Sequence, residues 1–223
     1  MGMPWAGEGS GTLPAMDADD WNERYSTAEY VWKADPNRLL VEQVTGLEPG
    51  RALDLACGEG RNAVWLAEQG WRVTGVDFSD VGLDKGRRLA ADRGVTVDWV
   101  RADATTWSPP TEGFDLVAVF YLQLPPDQRR QAIGVAGRAL APGGTLLVVA
   151  HDTANLEGGT GGPQDPAVLY APPDVVDDLV TAGVEISVEA ADTVERPVAG
   201  ADRPALDCLV RLRRESSPAE GSD

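Results

Sequence analysis

Asp54, Gly58 and Gly60 fall within ALDLACGEGRNA, residues 52–63, where an apolar run carrying one acid meets a glycine-rich turn and then a helix-forming stretch. Glycine lacks a Cβ, so the chain can turn sharply there and a ligand can lie against bare backbone amides. A helix expected over Arg61–Gln69 aims its positive end at that ligand. The spacing from Gly58 to Ala63 also satisfies the dinucleotide fingerprint of nicotinamide and flavin enzymes, so the glycines alone leave the cofactor open. Asp54 separates the readings: a dinucleotide strand stays apolar up to its first glycine, and an unpaired carboxylate there is costly to bury. Four residues before Gly58, the acid can accept from turn amides or face a cationic ligand group; its competing role is to brace the turn. Asp77 ends a second apolar run, 23 residues after Asp54. A carboxylate there can take both ribose hydroxyls of an adenosine, with Phe78 beside the purine. The alternative for Asp77 is to cap the next helix.

The words LDLACGEGRNAVWLAEQG, VTGVDFS, RADATTW, FDLVAVFYLQLP and LAPGGTLLVVAHD follow one another in that order. With them the chain, from about Trp21 to Arg213, resembles the class I S-adenosylmethionine (SAM) methyltransferases, most closely the small group of thiopurine and tellurite-resistance methyltransferases. The opening acid-x-Gly-x-Gly-x-Gly of that family reads here as Asp54, Ala56, Gly58 and Gly60, so an alanine replaces the first glycine. The resemblance implies SAM as methyl donor and S-adenosylhomocysteine (SAH) as product. It further implies cofactor contacts from Ala56, Cys57, Asn62 and Ser79 around the two acids, and an adenine edge met by Asp103 and Ala104. An Asx-turn is the competing role for Asp103. Ahead of the first strand, Trp21, Tyr25, Tyr30 and Trp32 match the place where the family folds a helical lid, with Tyr25 against the cofactor; packing of a core is their other use.

Ligands of open α/β sheets bind at the carboxyl ends of the strands, which puts Phe120, Tyr121, Leu122 and Gln123 at the sulfonium and the substrate entrance. His151, the only histidine, follows the run Thr145–Ala150 at the same edge. There it can take a proton from a hydroxyl, thiol or amine, with Asp152 or Asn155 as partner, or serve as a packing residue. Tyr121 is the second catalytic candidate. The Asn/Asp-Pro-Pro-aromatic word of the family's nucleobase amino-methylating members is absent here.

These residues require a scaffold of alternating elements. Ala52–Ala56, Val73–Asp77, Val95–Val100, Leu116–Phe120 and Thr145–Ala150 read as strands buried on both faces. Helices are expected near Asn62–Gln69, Asp80–Arg93, Asp127–Leu140 and Pro172–Ala182, with Pro126 starting the third and Pro142-Gly143-Gly144 stopping it. Period-two runs around Val184–Val188 and Leu206–Leu212 are joined by too short a link for a crossover helix, so they pair antiparallel. The expected fold is a single-domain α/β, Rossmann-like seven-stranded sheet, mostly parallel with a closing antiparallel hairpin and helices on both faces. Residues 1–17 and 214–223, rich in Gly, Pro, Ser and acids, read as disordered flanks of a domain over 18–213.

At 223 residues the chain suits one domain. A net charge of −17 weighs against nucleic acid as partner. Two cysteines, Cys57 and Cys208, offer neither a disulfide framework nor metal-ligand spacing. No basic leader and no apolar run of about 18 residues is present, so a cytoplasmic protein away from membranes is expected. The expected activity is methyl transfer from SAM to a small-molecule O, S or N nucleophile, by a monomer or homodimer. The rivals are an NAD(P)-dependent oxidoreductase and a SAM-binding protein without catalysis.

Overall fold

In the computed structural model, which describes residues 17–26, 30–31, 34–110 and 113–215, the Val- and Leu-rich runs assemble into a seven-stranded sheet. Its strands are β1 (Arg51–Leu55), β2 (Arg72–Asp77), β3 (Asp98–Arg101), β4 (Phe114–Phe120), β5 (Leu140–His151), β6 (Ile186–Arg196) and β7 (Ala205–Arg214). They lie in the order β3-β2-β1-β4-β5-β7-β6. Pairing is parallel from β3 to β5, and β7 alone is reversed, antiparallel to both β5 and β6. The strand order departs in opposite directions from β1, and the crevice so formed at the carboxyl ends of β1 and β4 is where open sheets hold ligands.

Helices α1 (Ala18–Tyr25), α2 (Arg38–Val44), α3 (Arg61–Glu68), α4 (Asp80–Arg93), α5 (Pro126–Ala139), α6 (Asn155–Gly158) and α7 (Pro172–Thr181) surround the sheet. Successive strand residues point to opposite faces. Leu53, Leu55, Val117, Val119, Leu146 and Val148 pack with Ile133 and Ala136 of α5 and Leu179 of α7. Ala52, Leu116, Ala118, Leu147 and Val149 pack on the other face with Leu39 and Leu40 of α2 and Ala63 and Leu66 of α3. The expected helices on both faces and the closing hairpin are thus present.

Several boundaries differ from expectation: β6 begins at Ile186 rather than Val184 and runs on to Arg196, and three others have a local cause. The Pro142-Gly143-Gly144 segment does not stop α5: Leu140 is already extended and pairs with Phe114, so β5 starts before the proline and passes through Gly143 at φ +78°. Val95–Val97 do not join β3, because Gly94 takes a left-handed cap and the Val95 amide donates back to the Ala90 carbonyl. Arg214, assigned to the tail from sequence, pairs with Ile186 in β7, and the Glu215 amide donates to the Glu185 carbonyl, so the ordered domain extends two residues further. Asp17, read from sequence as the end of the disordered N-terminal flank, instead caps α1 by accepting from the Asp19 and Asp20 amides; the rest of the expected disorder, residues 1–16 and 216–223, lies outside the described residues, as does Trp32.

The loop after β4 is fixed from below by α5 and α7. Gly137 lets these helices approach so closely that a Cβ there would lie 2.5 Å from Leu179 Cδ2. Nearby, Arg129 Nε donates to Asp178 Oδ2 at 2.7 Å with both side chains buried, and its guanidinium carbon sits 5.2 Å from the Tyr170 ring centre. Tyr170 in turn donates to the Leu122 carbonyl at 3.1 Å. Removing one member of a buried pair strands the other's charge. We therefore expect Asp178→Ala to lower unfolding free energy by about 3–5 kcal/mol in urea titrations. A loss no larger than a surface substitution would show that the pair does not anchor α7.

Candidate cofactor and acceptor site

Asp54 sits in the middle of the sheet, paired in register with Gly75 of β2 and Ala118 of β4. It is 1% exposed, and its Oδ2 makes no hydrogen bond. Burial pushes its carboxyl up to about 7 despite the Ala63 amide and the Arg61 charge, both of which favour the anion. Beyond it the chain turns through left-handed conformations at Ala56 (φ +61°), Gly58 (+56°) and Gly60 (+77°). Ala56 therefore stands where glycine costs nothing and alanine is strained by roughly 1–2 kcal/mol, which is the physical content of its departure from the family pattern.

The glycines serve the protein's own packing as well as any ligand. A Cβ on Gly60 would lie 2.5 Å from Trp99 Cη2, and one on Gly75 or Gly86 would lie 2.9 or 2.7 Å from the same indole. Trp99 is thus wedged beneath the turn. On the other side, a Cβ on Gly58 would meet the Tyr25 hydroxyl at 2.8 Å, so the predicted lid residue covers this glycine. Trp21 and Tyr25 stack at 5.2 Å between ring centres, and Asn22 accepts from the Ser79 hydroxyl, seating α1 over the start of α4.

Asp77 accepts from the Gly58 amide through Oδ2 at 2.8 Å and from the Ser79 amide through Oδ1 at 2.9 Å. Burial outweighs these amides and raises its carboxyl above the usual range. The cap of α4 is made by Ser79, whose hydroxyl accepts from the Gly82 amide, so the competing role for Asp77 is already filled. Each Asp77 oxygen retains acceptor capacity. Half-buried Phe78 follows it, and the Ala102 amide donates to the Asp77 carbonyl, bringing Asp103 and Ala104 to the same edge. Asp103 does form the alternative turn, accepting from the Thr105 amide and hydroxyl, while Ala104 belongs to the core. Asn62 is buried with its oxygen on the Asn37 amide, and Cys57 packs toward Gly75, so both secure the turn. Glu59, which sequence reasoning passed over, accepts from Lys85 Nζ at 2.8 Å and from the Val31 amide at 2.9 Å.

At the end of β4, Phe120 belongs to the apolar core against α2 and α3. Tyr121 adopts φ +55° and its hydroxyl donates to Asp207 Oδ2 at 2.7 Å. Burial and the Asp207 charge push this phenol up to about 12, so it holds its proton at neutral pH. His151, the last residue of β5, lies directly opposite Asp207 in the strand register, with its ring 5.0 Å from the Tyr121 ring. The expected partners are elsewhere: Asp152 accepts from the Ala154 amide and the Thr193 hydroxyl, and Asn155 bonds the Leu206 amide and the Gly161 carbonyl. Gln123 accepts from the His151 amide at 2.8 Å and donates to the Val168 carbonyl. Asp207 and Arg196, whose Nε donates to Asp207 Oδ2 at 2.6 Å, complete a cluster that was not anticipated. The available signal was an acid at an alternate position inside the apolar run Leu206–Leu212. A separate hollow of about 450 Å³, lined by Pro109, Arg138, Leu140 and Arg214, lies at the opposite end of the sheet.

A family model described as a methyltransferase domain matches residues 52–144. Demethylmenaquinone methyltransferase of Thermus thermophilus is 36% identical over 124 residues, 55% of this chain and 54% of that protein. Ribosomal RNA small subunit methyltransferase C of Alcanivorax borkumensis is 34% identical over 121 residues, 51% of this chain and 37% of that protein. The chain thus spans about half the length of these relatives or less. The solved N-methyltransferase NodS from Bradyrhizobium japonicum, in complex with SAH, has the same fold, with a TM-score of 0.67 over 89% of this chain and 98% of that one at 19% identity. Residues 52–144 are thus similar to a methyltransferase domain, the fold is that of a methyltransferase solved with SAH, and SAM is the cofactor this likeness implies.

The residues fit that cofactor: the orphaned Asp54 oxygen suits its ammonium, and the remaining acceptor capacity of Asp77 suits its ribose hydroxyls. A carboxyl held near 7 in the fold, above its ordinary 3.8, keeps its proton while the unfolded chain has lost it. Stability from this group is then complete below about pH 4 and falls as pH rises towards 7, by roughly 4 kcal/mol at about 1.4 kcal/mol per pH unit. Asp54→Asn should accordingly melt higher than the parent at pH 8 and nearly with it at pH 4, while binding SAH about 10–100-fold more weakly. Equal melting at pH 8, or unchanged SAH affinity, contradicts this role for Asp54.

Proposed function

We propose that this protein transfers a methyl group from SAM to a small-molecule acceptor through an oxygen, sulfur or nitrogen nucleophile, releasing SAH. The observation that carries the reading is the buried Asp54 oxygen without a hydrogen-bond partner, beside a glycine turn that Asp77 also holds. A dinucleotide brings its anionic pyrophosphate to such a glycine turn, whereas SAM brings an ammonium that answers this oxygen. The relatives are named for acceptors as different as a quinone precursor and ribosomal RNA. The acceptor must therefore be argued from the chain itself. Its net charge of −17 opposes a polyanion, which favours a small molecule. Among the described residues no helix is long and apolar enough to cross a membrane, and a cytoplasmic monomer or homodimer is our reading. The thiopurine and tellurite-resistance group remains the kinship we favour on the ordered sequence words.

SAM supplies an activated methyl on a sulfonium, so the protein's work is positioning and exclusion of water. In this reading Asp54 faces the ammonium, Asp77 the ribose, and Phe78, Asp103 and Ala104 the adenine. Tyr25 closes the turn from the lid. Tyr121 and His151 face the acceptor, with His151 accepting a proton from a hydroxyl nucleophile.

Titration calorimetry should show SAH binding and no appreciable binding of NADPH; the reverse result overturns the proposal. A screen of phenols, thiols and heteroaromatic amines for SAH release then identifies the acceptor class. Binding without turnover on any acceptor would assign the chain as a SAM-binding protein. With a hydroxyl acceptor, His151→Ala should lower kcat by about 100-fold or more with SAH affinity nearly unchanged. Parental turnover in that variant, with a depressed melting temperature, would make His151 a packing residue.

A further inference from the structure

We infer that Asp207 is the positioning residue of the acceptor site: it fixes the His151 imidazole in the tautomer protonated at Nδ1, leaving Nε2 as the proton acceptor. The inference rests on the proposed role of His151 in methyl transfer, but its geometry stands independently. Asp207 has no exposed surface and is approached by three side chains. Tyr121 Oη and Arg196 Nε both donate to Oδ2, at 2.7 and 2.6 Å. Oδ1, which has only a 3.5 Å contact from Arg196 Nη2, faces His151 Nδ1 at 3.4 Å. Nδ1 is buried and makes no hydrogen bond of its own. A closure of a few tenths of an ångström converts that approach into an Nδ1–H···Oδ1 bond, the kind of tightening that catalytic contacts undergo when a site fills.

The surroundings hold the ring in this orientation. The His151 amide is tied to Gln123, the Tyr121 ring lies against one side, and a Cβ on Gly162 would come within 2.8 Å of Nδ1. Burial works to raise the Asp207 carboxyl, but His151, Arg196 and Tyr121 together outweigh it and hold the group below its ordinary range, so it remains an acceptor throughout the neutral pH region. Asp207 then acts on the ring through orientation rather than by taking a proton. During turnover the acceptor O–H bond breaks with its proton passing to Nε2. The oxygen bonds the methyl carbon as the carbon–sulfur bond opens, its electron pair staying on sulfur.

The chain has one histidine, so ¹⁵N NMR of untagged, uniformly labelled protein reads this ring without assignment and without cofactor or acceptor. The expected spectrum of the neutral ring shows a protonated Nδ1 and a bare Nε2. In Asp207→Asn, the donors Tyr121 and Arg196 select the carboxamide oxygen at the Oδ2 position, so the amide NH₂ takes the Oδ1 position and donates to Nδ1. The tautomer should therefore invert to Nε2–H, and kcat with a hydroxyl acceptor should fall about 100-fold or more with KM little changed. A parental ring protonated at Nε2 overturns the inference even if Asp207→Asn does not fold. A folded variant with an unchanged tautomer overturns it too. Failure of SAH binding or turnover with the expected tautomers would count against methyl transfer and leave the Asp207–His151 relation intact.

Discussion

Burying a carboxylate is expensive unless its oxygens are answered, and the buried acids at the carboxyl edge of this sheet include three, Asp207, Asp77 and Asp54, satisfied to different degrees. Asp207 is answered by a phenol and a guanidinium and faces an imidazole. Asp77 is answered by two amides of the turn it supports. Asp54 retains one oxygen with no partner. The gradient is functional in character. A fully satisfied acid can orient neighbours, a partly satisfied one can share its oxygens with neutral hydroxyls, and an unsatisfied one gains most from a cation. A chain selected for stability alone has no reason to keep an acid at position 54 in mid-sheet when an apolar side chain would fit β1 at lower cost.

The scaffold holds that arrangement by close approach rather than by long-range charge. Trp99 packs where Gly60, Gly75 and Gly86 lack a Cβ, and the indole fixes the turn from below while Tyr25 and Asn22 close it from the lid side. Left-handed backbone at Ala56, and again at Tyr121, is strain that only a well-braced neighbourhood retains. The buried Glu59–Lys85 pair ties the middle of the turn to α4, and Glu59 also receives an amide from the segment after α1. Lid and turn are therefore mechanically one unit.

How much could be read in advance follows from the range of the interactions. Strands over Ala52–Ala56 and Val73–Asp77, the helix over Asp80–Arg93 and the antiparallel hairpin were readable because local apolar pattern and link length determine them. Boundaries at Val95, Pro142 and Arg214 were misplaced because each depends on a partner remote in sequence or on a cap conformation. Asp54 and Asp77 could be found by spacing from the glycines. The histidine's acid could not: Asp152 is one residue away in sequence but bonds Thr193, whereas Asp207 is brought opposite by strand register.

That contrast separates the two halves of the site. The proposed cofactor half is written within one continuous stretch, from β1 through the end of β3, where turn chemistry and strand ends repeat in fixed order. On the proposed acceptor half, His151, Arg196 and Asp207 come from three different strands and Tyr121 from the turn after β4, and they meet only because β7 runs antiparallel between β5 and β6. A one-residue slip of that pairing would turn Asp207 to the opposite face of the sheet and leave Tyr121 and Arg196 without their common acceptor. The reversed strand thus does more than close the sheet: it carries a buried acid to the end of β5 and makes the proposed proton-handling side of the site a product of register.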